Sequence, residues 1–242
     1  MMEVNKIICG DCLEVMQEIP DGSVDMVLTD PPYGTTACKW DSVIHFDPMW
    51  KQLDRVIKKN GAICLFGSEP FSSALRMSNI KNYKYDWVWD KVRGMGHLVA
   101  KKRPMQQSEN ISVFNVHNYY PQMKIGKLRN KKGYGKNGDA WWQTGGGKDN
   151  YNNTYYPKNI ITFSNASQKD KVHPTQKPVA LMEYLIRTYT NKNELVLDFT
   201  IGSGTTAVAA IQTGRNYIGI EQDPEYCKIA NQRILNAQPS LF

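Results

Sequence analysis

The sequence predicts an α/β fold built on a doubly wound, mostly parallel sheet. Short apolar runs alternate with segments of helical spacing along most of the 242 residues, and this alternation is typical of a parallel sheet. The run at residues 62–66 is apolar at every position, as expected of a central strand that is covered on both faces. Because ligands of such sheets bind at the carboxyl ends of the strands, the residues that follow each strand are the candidates for function.

The elements are predicted in a regular order along the chain. Strands are expected at residues 6–9, 24–29, 62–66, 83–89, 111–114, 194–198 and 216–221, and helices at 12–19, 46–57, 70–77, 178–189, 205–213 and 224–236. Asp11 is placed to cap the first helix. The second helix is expected to end in the basic turn at residues 58–61, with Gly61 as its C′ residue.

The tetrapeptide Asp30-Pro31-Pro32-Tyr33 follows the apolar run at residues 24–29. Neither proline can donate to a strand ladder, so the strand ends there. A carboxylate, a rigid carbonyl and an aromatic ring then lie at the carboxyl edge of the sheet. These groups suit a planar base that bears an exocyclic amino group. An Asp-Pro turn with a tyrosine lid is the structural alternative.

A second strand ends in Asp198 and is followed by the turn Phe199-Thr200-Ile201-Gly202-Ser203-Gly204 and by Thr205 and Thr206. The turn lacks the lysine of a Walker loop and the third glycine of the dinucleotide pattern. Asp198 suits an ammonium, and the turn with its threonines suits a carboxylate, so S-adenosylmethionine fits better than a nucleotide diphosphate. Glu221 lies 23 positions after Asp198, at the end of the next predicted strand. An acid in this place commonly accepts hydrogen bonds from ribose hydroxyls. A structural turn and a solvated acid are the alternatives.

The net charge of +7 is concentrated in the middle of the chain. Residues 91–103 hold five basic side chains and no acidic one, and residues 115–172 hold ten basic and three acidic ones. In the second stretch, aromatic residues such as Trp141 and Trp142 are interleaved with Lys, Gln and Asn. This pattern favours an ordered surface that faces nucleic acid, whereas a disordered linker would be poor in aromatics.

The five cysteines are scattered, and an odd number in a chain of this length does not indicate a disulfide framework. Cys9 and Cys12 have the spacing of a redox or metal motif, but no second pair completes a zinc site, so no metal is expected. No apolar run is long enough to span a membrane, and the first residues lack a signal-peptide hydrophobic region. A cytoplasmic protein with no membrane partner is therefore expected.

Taken together, these motifs resemble those of the DNA amino-methyltransferases. In that family Asp-Pro-Pro-Tyr is the catalytic motif and Phe-x-Gly-x-Gly binds S-adenosylmethionine; both are complete here, at residues 30–33 and 199–204. The catalytic motif comes first, as in the β class. The resemblance implies a circularly permuted, Rossmann-like S-adenosylmethionine-dependent methyltransferase fold. Its parts would be a catalytic half at residues 1–114, a basic target-recognition insertion at 115–172 and a cofactor-binding half at 173–242.

The resemblance also implies roles for single residues. The implied catalytic residues are Asp30, Pro31, Pro32 and Tyr33. The implied cofactor-binding residues are Asp11, Cys12, Lys177, Asp198, Phe199, Gly202, Gly204, Thr205, Thr206 and Glu221. Among these, Asp11 and Cys12 belong to a Gly-Asp-Cys element that implies contact with the cofactor adenine. Lys177 belongs to the element His173-Pro174-Thr175-Gln176-Lys177-Pro178, which in the family lies beside the methionine portion.

The implied activity is site-specific methylation of an exocyclic amino group in double-stranded DNA, on a base that has left the duplex. Asp30 favours adenine N6, because in the family serine at this position goes mostly with cytosine N4. The alternatives are a cytosine-N4 enzyme and a DNA-binding relative without catalysis. Protein or RNA methyltransferases usually have the reverse motif order, and the missing third glycine argues against a nicotinamide dehydrogenase. The resemblance allows for a homodimer and a cognate restriction endonuclease, and the sequence decides neither.

Overall fold

The computed structural model describes residues 3–35, 42–131, 150–165 and 176–237. Ten strands lie within these ranges: β1 (Lys6–Cys9), β2 (Val24–Thr29), β3 (Ile57–Gly67), β4 (Tyr83–Met95), β5 (Gln106–Phe114), β6 (Lys124–Lys131), β7 (Asn150–Tyr155), β8 (Ile160–Thr162), β9 (Leu195–Asp198) and β10 (Asn216–Glu221). The α-helices within the same ranges are α1 (Cys12–Val15), α2 (Phe46–Val56), α3 (Phe71–Ser78), α4 (Val179–Tyr189), α5 (Thr205–Thr213) and α6 (Pro224–Leu235). None of the helices in these ranges is long and apolar enough to cross a membrane.

Eight strands form one sheet in the order β1-β10-β9-β2-β3-β5-β4-β8. The pairs from β1 to β3 are parallel, whereas β5 runs antiparallel to both β3 and β4. The predicted doubly wound, mostly parallel sheet is therefore confirmed. The carboxyl ends of β1, β2, β9 and β10 consequently meet at one edge, which the amino end of β5 and the carboxyl end of β4 also reach.

Apolar side chains cover both faces of the sheet. Along β3, Cys64 and Phe66 belong to one buried cluster, and the intervening Ile63 and Leu65 belong to the other. Helices α4 and α5 cover the first face, and α2 and α3 cover the second. The strand is apolar throughout because its alternating side chains are buried on both sides.

The predicted end of the second helix is wrong. Helix α2 ends at Val56 and β3 begins at Ile57, so the basic turn at residues 58–61 lies in extended structure. Ile57 is buried and pairs with Val24 of β2, and this pairing replaces the expected cap. Gly61 instead allows its backbone to lie close to β2, because a Cβ there would lie 2.7 Å from the carbonyl oxygen of Asp25.

The first helix is shorter than predicted. Helix α1 ends at Val15 and is followed by a 3₁₀ turn at Met16–Glu18. A helix continuing through residue 19 would direct the carbonyl of Met16 at Pro20, which has no N–H. Arg55 donates to that carbonyl at 2.6 Å instead.

Residues 121–158 form a separate compact unit, in which β6 and β7 pair antiparallel. Residues 159–242 belong with residues 1–120, and β8 pairs with β4. This unit lies within the insertion predicted at 115–172, and the three-residue strand β8 of the same stretch pairs with the main sheet. Trp141 and Trp142 lie outside the described residues.

Candidate active site

A cavity of about 880 Å³ opens at the carboxyl edge of the sheet, within the range typical of ligand sites. Every residue predicted from the sequence to be catalytic or to bind the cofactor lines this cavity, except Gly204. The two motifs are far apart in the chain but adjacent in space. They meet because β2 and β9 are neighbouring parallel strands, so their carboxyl ends lie side by side.

The backbone around Asp30 is held by the second motif. The Thr200 hydroxyl donates to the carbonyl oxygen of Asp30 at 3.0 Å, and the backbone N–H of Phe199 donates to the Thr29 hydroxyl at 3.2 Å. Pro31 and Pro32 follow and line the cavity. The Asp30 carboxylate is therefore fixed on the wall that the two motifs share.

The Asp30 carboxylate belongs to a buried ionic network. Lys177 Nζ lies 2.6 Å from Asp30 and 2.8 Å from Glu109. The Tyr33 hydroxyl, which has a single proton, contacts both carboxylates: Asp30, and Glu109 at 2.9 Å. Lys91 Nζ lies 2.6 Å from the second oxygen of Glu109. Two carboxylates, two ammonium groups and a phenol thus form one network beside the cavity.

Burial and charge act against each other in this network. Burial raises the pKa of Asp30, and the Lys177 ammonium opposes that rise. Burial also acts to raise the pKa of Glu109, but Lys177 and Lys91 together lower it to about 2. Burial acts to lower the pKa of Lys177, and the two carboxylates raise it well above its ordinary value. Glu109 and Lys177 are therefore both charged near neutral pH.

Glu109 and Lys91 were not predicted as site residues. Both line the cavity, and only 6% of the Glu109 side chain is exposed. Lys91 is paired with Glu109 rather than solvated, and Trp89 on the same strand is buried. A lone acid just before an apolar strand was the available signal for Glu109.

Asp198 lies in the part of the cavity that is lined by residues 199–203 of the glycine turn. It is 4% exposed and accepts hydrogen bonds from the Thr206 hydroxyl at 2.5 Å and the Thr200 N–H at 3.2 Å. Burial raises the pKa of Asp198 to about 7, against the lowering effect of these hydrogen bonds. Within the described ranges, its hydrogen-bond donors are hydroxyl and N–H groups without charge. Such a site fits the ammonium group of a ligand.

Glu221 and Asp11 line the cavity and also fix its backbone. Glu221 accepts from the N–H of Gly202 at 2.8 Å and from that of Asp223 at 2.9 Å. Asp11 caps α1 as predicted, accepting from the N–H of Leu13 at 2.8 Å. A carboxylate has about four acceptor positions, so these bonds leave capacity for hydroxyl or amino groups of a ligand.

The two glycines of the turn differ in what they face. Both have positive φ, +54° at Gly202 and +83° at Gly204, which favours glycine. A Cβ on Gly202 would meet no atom within 4 Å, whereas one on Gly204 would lie 3.0 Å from the Cβ of Ala230 in α6. Gly204 therefore permits close helix packing behind the turn, and Gly202 lines the cavity.

The remaining predicted residues divide between the cavity and the undescribed part of the chain. Phe199 is buried, and Thr205 opens α5. Burial raises the pKa of the Cys12 thiol to about 12, so Cys12 lines the cavity as a neutral, unreactive thiol. His173, together with residues 174 and 175, lies outside the described residues, while Lys177 of the same element joins Asp30.

The cavity has two adjoining parts whose residues suit two different ligands. Asp198, the glycine turn and Glu221 present acceptors and N–H groups for a ligand with an ammonium, a carboxylate and a ribose. Asp30 presents a carboxylate to a second ligand, beside the Tyr33 ring. The described residues thus fit both the S-adenosylmethionine and the amino-bearing base that the sequence predicted.

Comparison with known proteins agrees with this geometry. The family model described as DNA methylase, of the N6/N4 type, matches residues 24–232. The type II methyltransferase M1.MboII of Moraxella bovis is 32% identical over 262 aligned positions, which cover 96% of this chain and 96% of that protein.

Solved structures give the same result for the fold. The crystal structure of the M1.HpyAVI–SAM complex has a TM-score of 0.62 and 26% identity, covering 94% of this chain and 98% of that one. The cytosine-N4-specific PvuII DNA methyltransferase has a TM-score of 0.68 and 18% identity, covering 97% and 93% of the two chains.

Proposed function

The chain belongs to the N6/N4 DNA methylase family, and we propose that it methylates the N6 nitrogen of adenine. It is a site-specific DNA methyltransferase that uses S-adenosylmethionine. The observation that carries the choice of adenine is Asp30, the first residue of the catalytic motif, whose carboxylate lines the cavity. In the family that these motifs resemble, enzymes with an aspartate at this position mostly methylate adenine.

Asp30 would activate the amino group by accepting its hydrogen bonds. The lone pair of an exocyclic amino nitrogen is delocalised into the ring, so the nitrogen is a poor nucleophile. Hydrogen bonds from its two N–H groups to the Asp30 carboxylate and the Pro31 carbonyl favour a pyramidal nitrogen with an available lone pair. Acceptors that are fixed before reaction need no reorganisation, and Thr200 fixes this backbone.

Lys177 would hold Asp30 until the base arrives. Its ammonium contacts both carboxylates, at 2.6 and 2.8 Å, so it can keep Glu109 as a partner while the amino group takes a position on Asp30. Tyr33 is held in the same way, because its hydroxyl contacts both acids. Its ring then offers a face for stacking at the cavity wall.

The cofactor residues divide by chemistry. Asp198 would bind the ammonium, the turn at Gly202 with Thr205 and Thr206 the carboxylate, and Glu221 the ribose hydroxyls. Asp11 and Cys12 line the wall where the adenine is expected. S-adenosylmethionine supplies an activated sulfonium methyl group when bound. The protein therefore has to position two reactants, and positioning alone lowers barriers substantially.

Residues 121–158 are proposed to recognise the DNA site, as the main part of the predicted target-recognition insertion. This unit exposes Ile125 and Tyr151 as well as Lys124 and Lys127, a mixture suited to phosphates and base edges. The homodimer and the cognate restriction endonuclease stay predictions from the resemblance.

The base is identified by following the methyl group. The purified protein is incubated with unmethylated duplex DNA and methyl-labelled S-adenosylmethionine, and the DNA is digested to nucleosides. We expect the label in N6-methyladenine. Label in N4-methylcytosine would keep the mechanism and overturn the choice of base. No label on several DNAs, with the cofactor still bound, would instead favour the non-catalytic relative.

Binding of S-adenosylmethionine is expected to release a proton from Asp198. Its pKa is about 7 in the free protein, and an ammonium beside it favours the carboxylate. At pH 6 most molecules must therefore lose this proton to bind, and at pH 8 few do. Affinity should fall by about tenfold per pH unit below pH 7.

Calorimetry in buffers of different ionisation enthalpy measures the released proton directly. Asp198→Asn is the matched variant, because it has no proton to lose in this range. The prediction fails if the native protein and this variant release equal numbers of protons at pH 6.

A further inference from the structure

The tip of the β4–β5 hairpin, residues 92–105, combines exposed apolar side chains with a run of basic ones. Four large apolar side chains of the tip are exposed: Val92 (50%), Met95 (56%), Leu98 (102%) and Met105 (43%). The basic ones are Arg93, Lys101, Lys102 and Arg103, and no acidic residue lies among them. The Leu98 side chain is fully exposed to water, although burial stabilises a leucine side chain.

The hairpin tip begins at the mouth of the cavity. Met95 and Gln106, which pair with each other at the base of the tip, both line the cavity. Lys91 and Glu109 lie just inside, on the same two strands. A large ligand that delivers a base to Asp30 at this side of the cavity would therefore lie beside this tip.

We propose that the hairpin tip inserts Leu98 into the base stack of duplex DNA beside the target, while its cations contact the flanking phosphates. The inference rests on the proposed function and names the element that opens the duplex. A base that leaves the stack leaves a gap, and apolar wedges stabilise unstacked steps in other DNA-binding proteins. Positive charge around an apolar point complements a phosphate backbone.

A second copy of this chain is a less suitable partner for the hairpin tip than duplex DNA. Two such tips would place like charges together, since each carries four cations and no acid. Duplex DNA provides the opposite charge, and its target base must enter the adjoining cavity. Charge and location therefore point to the same partner.

Leu98→Ala tests the wedge by its dependence on base pairing. On a duplex in which the target base is normally paired, we expect kcat/KM to fall by about tenfold to a hundredfold, since unstacking a base step is costly. On a duplex in which that base faces an abasic site, less energy is needed to extract it, and the variant should approach native activity. Met77→Ala is the control, because Met77 is 69% exposed and does not line the cavity.

A fluorescent base analogue at the target position gives a second readout, because its emission rises when it leaves the stack. Leu98→Ala should show less of this emission than Met77→Ala when bound to the same duplex. Equal emission, or an equal decrease in activity on paired and unpaired targets, would overturn the wedge.

The cations of the tip are tested by the salt dependence of duplex binding, which needs no methylation. Replacing Lys101, Lys102 and Arg103 with alanine should reduce the slope of log affinity against log salt by about 0.9 for each phosphate that the variant no longer neutralises. The matched control removes three exposed lysines elsewhere, Lys51, Lys81 and Lys192.

The two triple variants separate this inference from the proposed function. A smaller slope for the tip variant alone supports the inference, even if labelling identifies another base. Equal slopes for both variants would show that only net charge matters and would overturn it. A native protein that methylates no DNA removes the proposed function, while the binding slopes still decide the role of the tip.

Discussion

Asp30→Ala is expected to lower the rate of methyl transfer to DNA by about a hundredfold to a thousandfold, the cost of removing one preorganised group at a reacting centre. The substitution removes the carboxylate that would accept from the amino group. Lys177 keeps its contact with Glu109 at 2.8 Å, so the network loses one anion without leaving a lysine unpaired. The affinity for S-adenosylmethionine should stay unchanged, because Asp198 and the glycine turn are untouched.

Single-turnover transfer of labelled methyl groups measures the rate, and calorimetry measures the cofactor affinity. Asp30→Asn keeps one acceptor oxygen but loses the charge, so its rate should fall between those of the native protein and Asp30→Ala. Asp54→Ala is the control, since Asp54 is an exposed acid on α2 that does not line the cavity. A rate for Asp30→Ala close to that of this control would remove Asp30 from the mechanism.

The fold was predictable because the strands of the sheet carry strong local signals. Residues 62–66 are apolar throughout, and the two prolines after Asp30 mark the end of β2. Once the strands are parallel, their ends must meet, and this places Asp30, Asp198 and Glu221 at one edge without any knowledge of side-chain contacts.

The acid on β5 was not predictable by the same reasoning. Glu109 precedes the apolar part of its strand. If that strand ran parallel to β3, this position would lie at the edge of the sheet opposite to the cavity. It reaches the cavity only because β5 runs antiparallel to β3 and β4. The direction of β5 depends on its tertiary pairing, so neither Glu109 nor its partner Lys91 could be assigned from periodicity.

Lys177 was predicted at the site but in a different setting. The resemblance implies a place beside the methionine portion of the cofactor, and the structure places its ammonium between Asp30 and Glu109. These positions are compatible, since the two halves of the cavity adjoin. The contact with Asp30 could not have been foreseen, because 147 positions separate the two residues.

Glu109→Gln is expected to reduce both stability and rate, for separable reasons. The substitution leaves the Lys91 and Lys177 ammonium groups with Asp30 as the one remaining carboxylate of the network. Breaking a buried ion pair in this way costs about 3–5 kcal/mol in the free energy of unfolding, measured by urea denaturation. The Glu109 pKa lies near 2, below its ordinary value, so its contribution is present above about pH 4.5 and is lost as the pH falls through about 2. The native protein and the variant should therefore converge in stability near pH 2.

The rate should fall because Lys177 would then have Asp30 as its sole carboxylate partner in the network. The amino group of the base would have to compete with that ammonium for Asp30. A hydrogen bond to a charged group is worth about 1.5–3 kcal/mol, which corresponds to a decrease in kcat of about tenfold to a hundredfold. Cofactor affinity should not change, since Glu109 contacts Tyr33, Lys91 and Lys177 rather than the residues around Asp198.

A second substitution distinguishes positioning from stability. Combining Glu109→Gln with Lys91→Met removes the ammonium left unpaired at position 91 and should restore most of the stability. It should not restore the rate, because Lys177 still lacks Glu109. Glu183→Gln is the control, since its pair with Arg187 at 3.7 Å is partly exposed and such pairs contribute little. Recovery of both rate and stability in the double variant would show that Glu109 only compensates buried charge, and recovery of stability alone would show that it frees Asp30 for the base.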